Sequence, residues 1–336
     1  MDRALEQARV RLGRFFGASP ERVVFTLNAT DALNIAIHGS VRPGDHVVTT
    51  AMEHNSVLRP LEALRHDAGV EHTIVPADSR GRIDIDAFAA AITTRTSLAV
   101  VTHASNVCGT LQPVVEIAAI CRERGVRLLV DAAQTAGLRP LDLRALGADL
   151  LAVPGHKGLL GPPGTGALLL ADGVDVRPLR HGGTGSESQR TAQPLELPQR
   201  LEAGSPNGPA IAALAAGVAW IESRGVEALG TRLARLGARF ATGLERIARV
   251  DSFGCASIAE REPLFSLRVS GIAPDELAAI LDASFGIETR AGLHCAPHAH
   301  RALGSWPEGS VRVAPGVFTT DQEIDSLLDA LVEIGH

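Results

Sequence analysis

Asp131 closes the apolar run Leu128-Leu129-Val130, and Lys157 stands between His156 and Gly158 in the glycine-rich stretch PGHKGLLGPPGTGALLL at 154–170. Singly, each residue is ordinary: a charge at a strand end is where chain meets water, and a loop lysine is usually solvated. The same arrangement recurs along the first half of the chain, however. Asn28-Ala29-Thr30 follow the run VVFT, and Glu53-His54-Asn55 follow VVTTAM. Ser105 and Asn106 follow AVVTH, Asp131 and Gln134 follow LLV, and His156 and Lys157 follow LLAV. Successive apolar runs that all end in chemically able side chains put an amine, carboxylates, an imidazole and amides on one rim.

A lysine that condenses with an aldehyde must first lose its proton, and nearby positive charge helps by lowering its pKa. Pyridoxal phosphate needs such a lysine and a carboxylate for its pyridine nitrogen. It also needs an anion site for its phosphate and a flat group against its ring. Lys157 suits the first role and Asp131 the second. Ala29-Thr30 opens a helix directly after a strand, where free N–H groups and the helix dipole favour a phosphate. His54 can lie on the ring, and Gln134 and Asn106 can hydrogen-bond the phenolic oxygen or the substrate.

The elements that must hold these residues alternate. The runs RVVFT (22–26), HVVTT (46–50), SLAVVTH (97–103), VRLLVD (126–131) and DLLAV (149–153) read as strands. Helical patterns begin near Thr30 and Asn55, and PVVEIAAICRERG ends in a glycine stop. Continuous apolar strands separated by helices predict an α/β fold with a mostly parallel sheet covered on both faces. In such sheets ligands gather at the carboxyl ends of the strands. Residues 182–209 are rich in Gly, Ser, Pro and Gln and read as a long loop and domain connection, followed by the helix AIAALAAGVAWIESRG. The chain then mixes helices with LFSLRVS and SVRVAP. The expected division is a large domain, 1–225, and a smaller C-terminal α+β domain, 226–336.

Composition narrows the class. With 336 residues the chain can form two domains; its 32 basic and 38 acidic residues give a net charge of −6 and no basic surface for nucleic acid. No apolar stretch approaches the ~20 residues that span a bilayer. The first residues, MDRALEQARVRLGRFFGA, form an amphipathic helix pattern rather than a signal peptide. Cys108, Cys121, Cys255 and Cys295 make no CxxC pair, which fits a reducing cytoplasm and no metal site. There is no tyrosine for chemistry.

FTLNATDALN (25–34), MEHNSVLRP (52–60), THASNVCGT (102–110), VDAAQTAG (130–137), GGTGS (182–186), LEAGSPN (201–207), RAGLHCAP (290–297) and GSVRVAPGVFTT (309–320), with the lysine stretch, carry a family resemblance. Over almost its whole length the chain resembles pyridoxal-phosphate enzymes of the class V aminotransferase fold. Within these it is most similar to the cysteine desulfurase and selenocysteine lyase group, in its short branch. The resemblance implies a fold type I transferase, Lys157 as the cofactor-bearing lysine, Asp131 at the pyridine nitrogen and His54 on the ring. It implies Gln134 at the phenolic oxygen, Asn106 near that oxygen or the substrate carboxylate, and Ala29, Thr30 and His156 around the phosphate. Thr184 would reach the phosphate of the neighbouring subunit in a homodimer with shared sites. Arg312, assisted by Arg290, would clamp the substrate carboxylate, and Cys295 occupies the place of the sulfur-accepting nucleophile. Its loop reads as free to move, with His294, His298 and His300 near enough in sequence to favour a thiolate. Two departures stand out. Relatives begin with a strand and loop that help cover the site, whereas Met1 falls within or just before the first helix. Pro154 replaces a serine or threonine, so the phosphate must rely on Thr30, His156 and Thr184. The implied activity is cysteine desulfuration, with selenocysteine as a further substrate and a sulfur-acceptor protein as partner. A C–S β-lyase or aminotransferase is the alternative, and a catalytically silent binding protein a third.

Overall fold

The computed structural model describes residues 2–335. Its strands are β1 (Val23–Thr26), β2 (His46–Thr50), β3 (Glu71–Val75), β4 (Thr96–Thr102), β5 (Arg127–Asp131), β6 (Leu150–Pro154), β7 (Gly166–Leu170), β8 (Val250–Phe253), β9 (Phe265–Val269), β10 (Arg290–Gly292) and β11 (Ser310–Val313). Its helices are α1 (Asp2–Phe16), α2 (Ala29–Ser40), α3 (Asn55–Ala68), α4 (Ile85–Ala91), α5 (Val114–Arg124), α6 (Leu143–Leu146), α7 (Gly208–Arg224), α8 (Val226–Leu244), α9 (Pro274–Phe285), α10 (Pro297–Leu303) and α11 (Asp321–Gly335). Met1, expected within or just before α1, lies outside the described residues.

Seven strands form one sheet in the order β1-β7-β6-β5-β4-β2-β3. Strands β2 to β6 are mutually parallel, and β7 runs against both its neighbours. The α/β expectation with a mixed, mostly parallel sheet therefore holds. All of its strands but β3 are buried along nearly their whole length because both faces are covered. Alternate residues serve opposite sides: Leu98, Val100, Leu129, Leu150 and Ala152 join the cluster with α2 and α3, while Ala99, Val101, Leu128, Val130 and Leu151 join the cluster with α5 and α7. Two strands of this sheet lay outside the sequence reading. β3 is a half-exposed edge strand whose polar residues break the apolar run. β7 is fully buried but follows GPPGTG, so its turn residues masked it.

A second, antiparallel sheet has the order β10-β11-β9-β8. It does not have an isolated core. One apolar cluster passes from Val130 and Leu159 through Ile211 and Leu229 to Phe240, Phe265 and Val311. The C-terminal segment is thereby fixed against the carboxyl edge of the large sheet.

Two close approaches set that edge. Gly137, at φ +82°, and Gly158 let the turn after Asp131 touch the loop of Lys157. A Cβ on Gly137 would stand 2.4 Å from the Gly158 carbonyl oxygen, and one on Gly158 would stand 2.4 Å from that of Ala136. No side chain fits either place, so the spacing between carboxylate and amine is built into the backbone. The second approach is made by Glu53, which has no exposed surface. Its Oε1 accepts from Thr50 Oγ1 (2.7 Å) and Thr102 N–H (2.9 Å), tying the end of β2 to the end of β4.

Oε2 of Glu53 is buried and has no partner among the described residues. Burial pushes its pKa up to about 8, with the Asp131 charge adding to the rise and the two hydrogen bonds opposing it. A carboxyl raised on folding contributes stability in full below its unfolded pKa and loses it as pH climbs to the folded value. Apoprotein stability relative to Glu53→Gln should therefore fall between pH ~4.5 and about 8, then level off. Urea midpoints of both proteins across that range test this; a constant difference would show that Glu53 is not protonated in the fold.

Candidate active site

The carboxyl ends of the strands enclose a cleft of about 300 Å³. Ladder pairing places Thr102 of β4 beside Asp131 of β5, and Asp131 beside Ala152 of β6. Register, not loop flexibility, thus puts Asp131 on the cleft floor with Lys157 just beyond β6. Ala29, Thr30, His54, Asn106, Asp131, Gln134, His156, Lys157 and Arg290 all line the cleft, as does Pro154.

At one end lies the first turn of α2. Asn28 caps it by accepting from Asp31 N–H (2.9 Å), while the Asp31 carboxylate takes Leu27 N–H (3.0 Å) and a fork from Arg180 (2.6 and 3.2 Å). The N–H groups of Ala29 and Thr30 have no intrahelical acceptor by geometry and border the cleft. They form an anion site. The Thr30 hydroxyl is engaged with Ser56 Oγ at 2.7 Å.

His54 is the N-cap of α3. Its Nδ1 accepts from Ser56 N–H at 3.0 Å and lies 2.8 Å from Ser56 Oγ, which leaves the ring proton on Nε2. Burial, and then the charges of Lys157, Arg290, Arg312 and Arg59, depress its pKa to about 4. The imidazole is neutral at physiological pH. Helix capping therefore fixes both the orientation and the tautomer of a ring that borders the cleft.

Asp131 is 4% exposed; its Oδ1 accepts from Ala133 N–H at 2.9 Å, and no donor engages Oδ2 among the described residues. Burial raises its pKa, against the pull of Lys157 and Ala133. Lys157 presents surface to the open cleft yet is crowded on its other sides. Desolvation lowers its pKa, Asp131 opposes this, and Arg312 and Arg290 assist it. The crowding governs the direction of the shift, because the accessible surface is only that of a narrow cleft. Lys157 and Asp131 make no ion pair; they act on each other through space. An amine whose pKa burial lowers, a carboxyl oxygen without a donor and an open helix N-terminus are the donor set that pyridoxal phosphate requires.

The C-terminal sheet supplies the cationic wall. Arg290 and Arg312 face each other across the β10–β11 ladder, and Arg312 Nη1 donates to the Asn106 carbonyl (2.9 Å). Neither makes an ion pair among the described residues. Cys295 is half-buried and borders an adjacent compartment of about 410 Å³ that shares Thr30, His54 and Ser56 with the cleft. Its backbone is not free, contrary to the reading from sequence. The Cys295 carbonyl accepts from Asn55 N–H (2.7 Å), the preceding His294 carbonyl accepts from Asn106 Nδ2 (2.7 Å), and both residues have positive φ. The neighbouring histidines lend no charge either. Burial depresses His294 to about 3 and His300 to about 4, and lowers His298. The other three cysteines are buried, with the Cys121 thiol pushed up to about 12 by burial and Asp149.

Thr184 does not line this cleft; it lies in the 182–186 loop with its hydroxyl 3.0 Å from Ser186 Oγ. Sequence reasoning placed Glu53 at a strand end without a role, and missed Ser56, Arg59 and the Asp31–Arg180 fork. The fork joins residues too distant in sequence for any local signal.

Comparison with known proteins agrees with this geometry. The family model for class V aminotransferases matches residues 1–327. A probable cysteine desulfurase of Methanothermobacter thermautotrophicus is 36% identical over 340 aligned positions, covering 99% of this chain and 84% of the relative. A cysteine desulfurase of Salmonella agona is 30% identical, covering 98% and 82%. The apo structure of cysteine desulfurase from Thermococcus onnurineus NA1 superposes with a TM-score of 0.92 at 32% identity, covering 99% of this chain and 84% of that one. The chain belongs to the class V aminotransferase family, among its cysteine desulfurases.

Proposed function

We propose that this enzyme is a pyridoxal-phosphate-dependent cysteine desulfurase that converts L-cysteine to L-alanine and leaves a persulfide on Cys295. The observation that carries the reading is the placement of one half-buried thiol across His54 from a cleft lined by an amine, a carboxylate and the Arg290 guanidinium, with Arg312 opposite Arg290 on the β10–β11 ladder. When bound, the cofactor supplies an electron sink at the substrate α-carbon. Lys157 would hold the cofactor's aldehyde and would then take the α-proton. Asp131 would keep the proton on the pyridine nitrogen, and His54 would lie against the ring. Ala29, Thr30 and His156 would hold the phosphate, Gln134 would bond the phenolic oxygen, and Asn106 that oxygen or the substrate carboxylate. Arg312 and Arg290 clamp the substrate carboxylate, a bidentate task for which lysine is a poor substitute. The Cys295 thiolate attacks the substrate sulfur; the S–S bond forms, the carbon–sulfur bond breaks, and its electron pair stays on the carbon side.

The chain divides in this reading into a cofactor-binding unit, 1–225, and a C-terminal unit, 226–336, that brings Arg290, Cys295 and Arg312. The position of Thr184 outside its own chain's cleft supports a homodimer in which it reaches the partner's phosphate. Four unpaired cysteines support a reducing, cytoplasmic setting. No helix is long and apolar enough to cross a membrane among the described residues. Selenocysteine, which differs from cysteine in one chalcogen atom, is the further substrate in this reading.

Borohydride treatment of the loaded enzyme should fix the cofactor mass on Lys157, and Lys157→Ala should lose it; the mass on another lysine would overturn the assignment. Asp131→Asn should keep the fixed cofactor but slow turnover by at least ~100-fold, the low end of what a placed acid–base group contributes.

Cys295→Ala should bind cofactor and L-cysteine yet release no sulfide with L-cysteine. Undiminished sulfide would leave a C–S β-lyase in its place. Selenide release from selenocysteine should survive, since the weaker C–Se bond can break without the thiolate.

Mixing Lys157→Ala with Thr184→Ala should give hybrid dimers with one site damaged twice and one intact, and so regain activity that neither parent shows. A fully active monomer on a sizing column would contradict the shared site.

A further inference from the structure

Three guanidinium groups stand around His54 without an ion pair among the described residues: Arg290, Arg312 and Arg59. An amino-acid substrate brings one α-carboxylate. Arg290 and Arg312 are neighbours across the β10–β11 ladder and suffice for it. Arg59 lies on α3, exposed, on the other side of His54. It borders the 410 Å³ compartment together with Asn34 and His38 from α2, Asn55 from α3, and Cys295. Positive charge facing solvent from a concave wall draws anions and raises their local concentration. His38 adds little charge there, because burial lowers its pKa.

The pinned backbone at Cys295 gives this compartment a purpose. With its own carbonyl held by Asn55 and the preceding one held by Asn106, the thiol has its side-chain torsion but no loop swing with which to carry sulfur outward. A sulfur acceptor must come in to the thiol. In that reading the cofactor cleft is taken up by cofactor and substrate. The compartment on the Arg59 side lies beside it, and its wall includes the Cys295 thiol.

We propose that the Arg59 compartment is a second binding site, for a small thiol bearing a carboxylate, which accepts the sulfur from Cys295. This rests on the persulfide reading above. The carboxylate pairs with Arg59 and the acceptor thiolate attacks the outer sulfur of the Cys295 persulfide. The acceptor–sulfur bond forms and the Cys295 Sγ–sulfur bond breaks. Cys295 leaves as thiolate and takes a proton from water. The acceptor becomes a persulfide as Cys295 returns to a thiol, so no external oxidant or reductant enters. The compartment thus separates the face where sulfur arrives from the face where it departs.

Two measurements test this. In the apoprotein, Cys295 alkylation is followed with iodoacetate and iodoacetamide, which differ in charge. The rate ratio of anionic to neutral reagent should drop about tenfold in Arg59→Ala, the worth of a lost hydrogen bond to a charged group, and be largely kept in Arg59→Lys. A ratio unmoved by Arg59→Ala but erased by Arg290→Ala would place anion entry in the cofactor cleft and overturn the proposal. A native Cys295 inert to both reagents would show the compartment covered and overturn it too. In the loaded enzyme, the persulfide formed with limiting L-cysteine is discharged with 3-mercaptopropionate or 2-mercaptoethanol and followed by intact mass. The rate ratio between these thiols should fall about tenfold in Arg59→Ala. No persulfide in the wild type would refute the desulfurase reading beneath. A persulfide that forms, but whose discharge ratio is the same in wild type and variant, would refute the acceptor site alone.

Discussion

A carboxylate with almost no water around it is costly unless a cation or strong donors hold it. Asp131 is 4% exposed at the end of β5 and has one backbone donor. The rest of the site answers that constraint. Lys157 supplies positive charge through space; burial, Arg312 and Arg290 lower its own pKa, and Asp131 opposes them. Glu53, buried behind the same strand ends, cannot add a second negative charge without raising the cost further, and burial keeps its proton on. The two close glycine contacts hold carboxylate and amine at a fixed separation. The floor is thus strained electrostatically in a way that a cationic ring nitrogen and an aldehyde would relieve together.

The other wall belongs to the antiparallel C-terminal sheet. Its hydrophobic packing against α7 and α8 carries Arg290, Arg312 and Cys295 to the edge of the large sheet. Hydrogen bonds across that seam, from Asn106 to His294 and from Asn55 to Cys295, are short and backbone-directed. They convert a segment that reads as a mobile loop into a fixed thiol. In the proposed reading, specificity resides in which arginine an incoming carboxylate meets, on one side of His54 or on the other.

Much of this was legible in the primary structure. Apolar runs of strand length, each ended by a polar residue, located β1, β2, β4, β5 and β6 and gave the α/β class. The rule that ligands gather at carboxyl ends then selected Ala29, Thr30, His54, Asn106, Asp131, Gln134, His156 and Lys157, all of which border one cleft. These signals are local, because strand periodicity and helix-start chemistry are properties of short segments. β3 and β7 escaped because exposure at a sheet edge and a preceding run of glycine and proline hide the apolar pattern.

What only the folded chain decided depends on distance and burial. The neutral state of His54 follows from burial and then from Lys157, Arg290 and Arg312, all remote in sequence, with Arg59 of its own helix adding to them. The raised pKa of Glu53 follows from complete burial between two strands that a linear pattern cannot pair. The rigidity of Cys295 comes from donors on α3 and after β4, far from RAGLHCAP in sequence. The type of each side chain is written locally, so sequence determined which residues could do chemistry. Their charge state and freedom depend on solvent exclusion and on partners brought together by packing, so the tertiary structure determined what those residues are able to do.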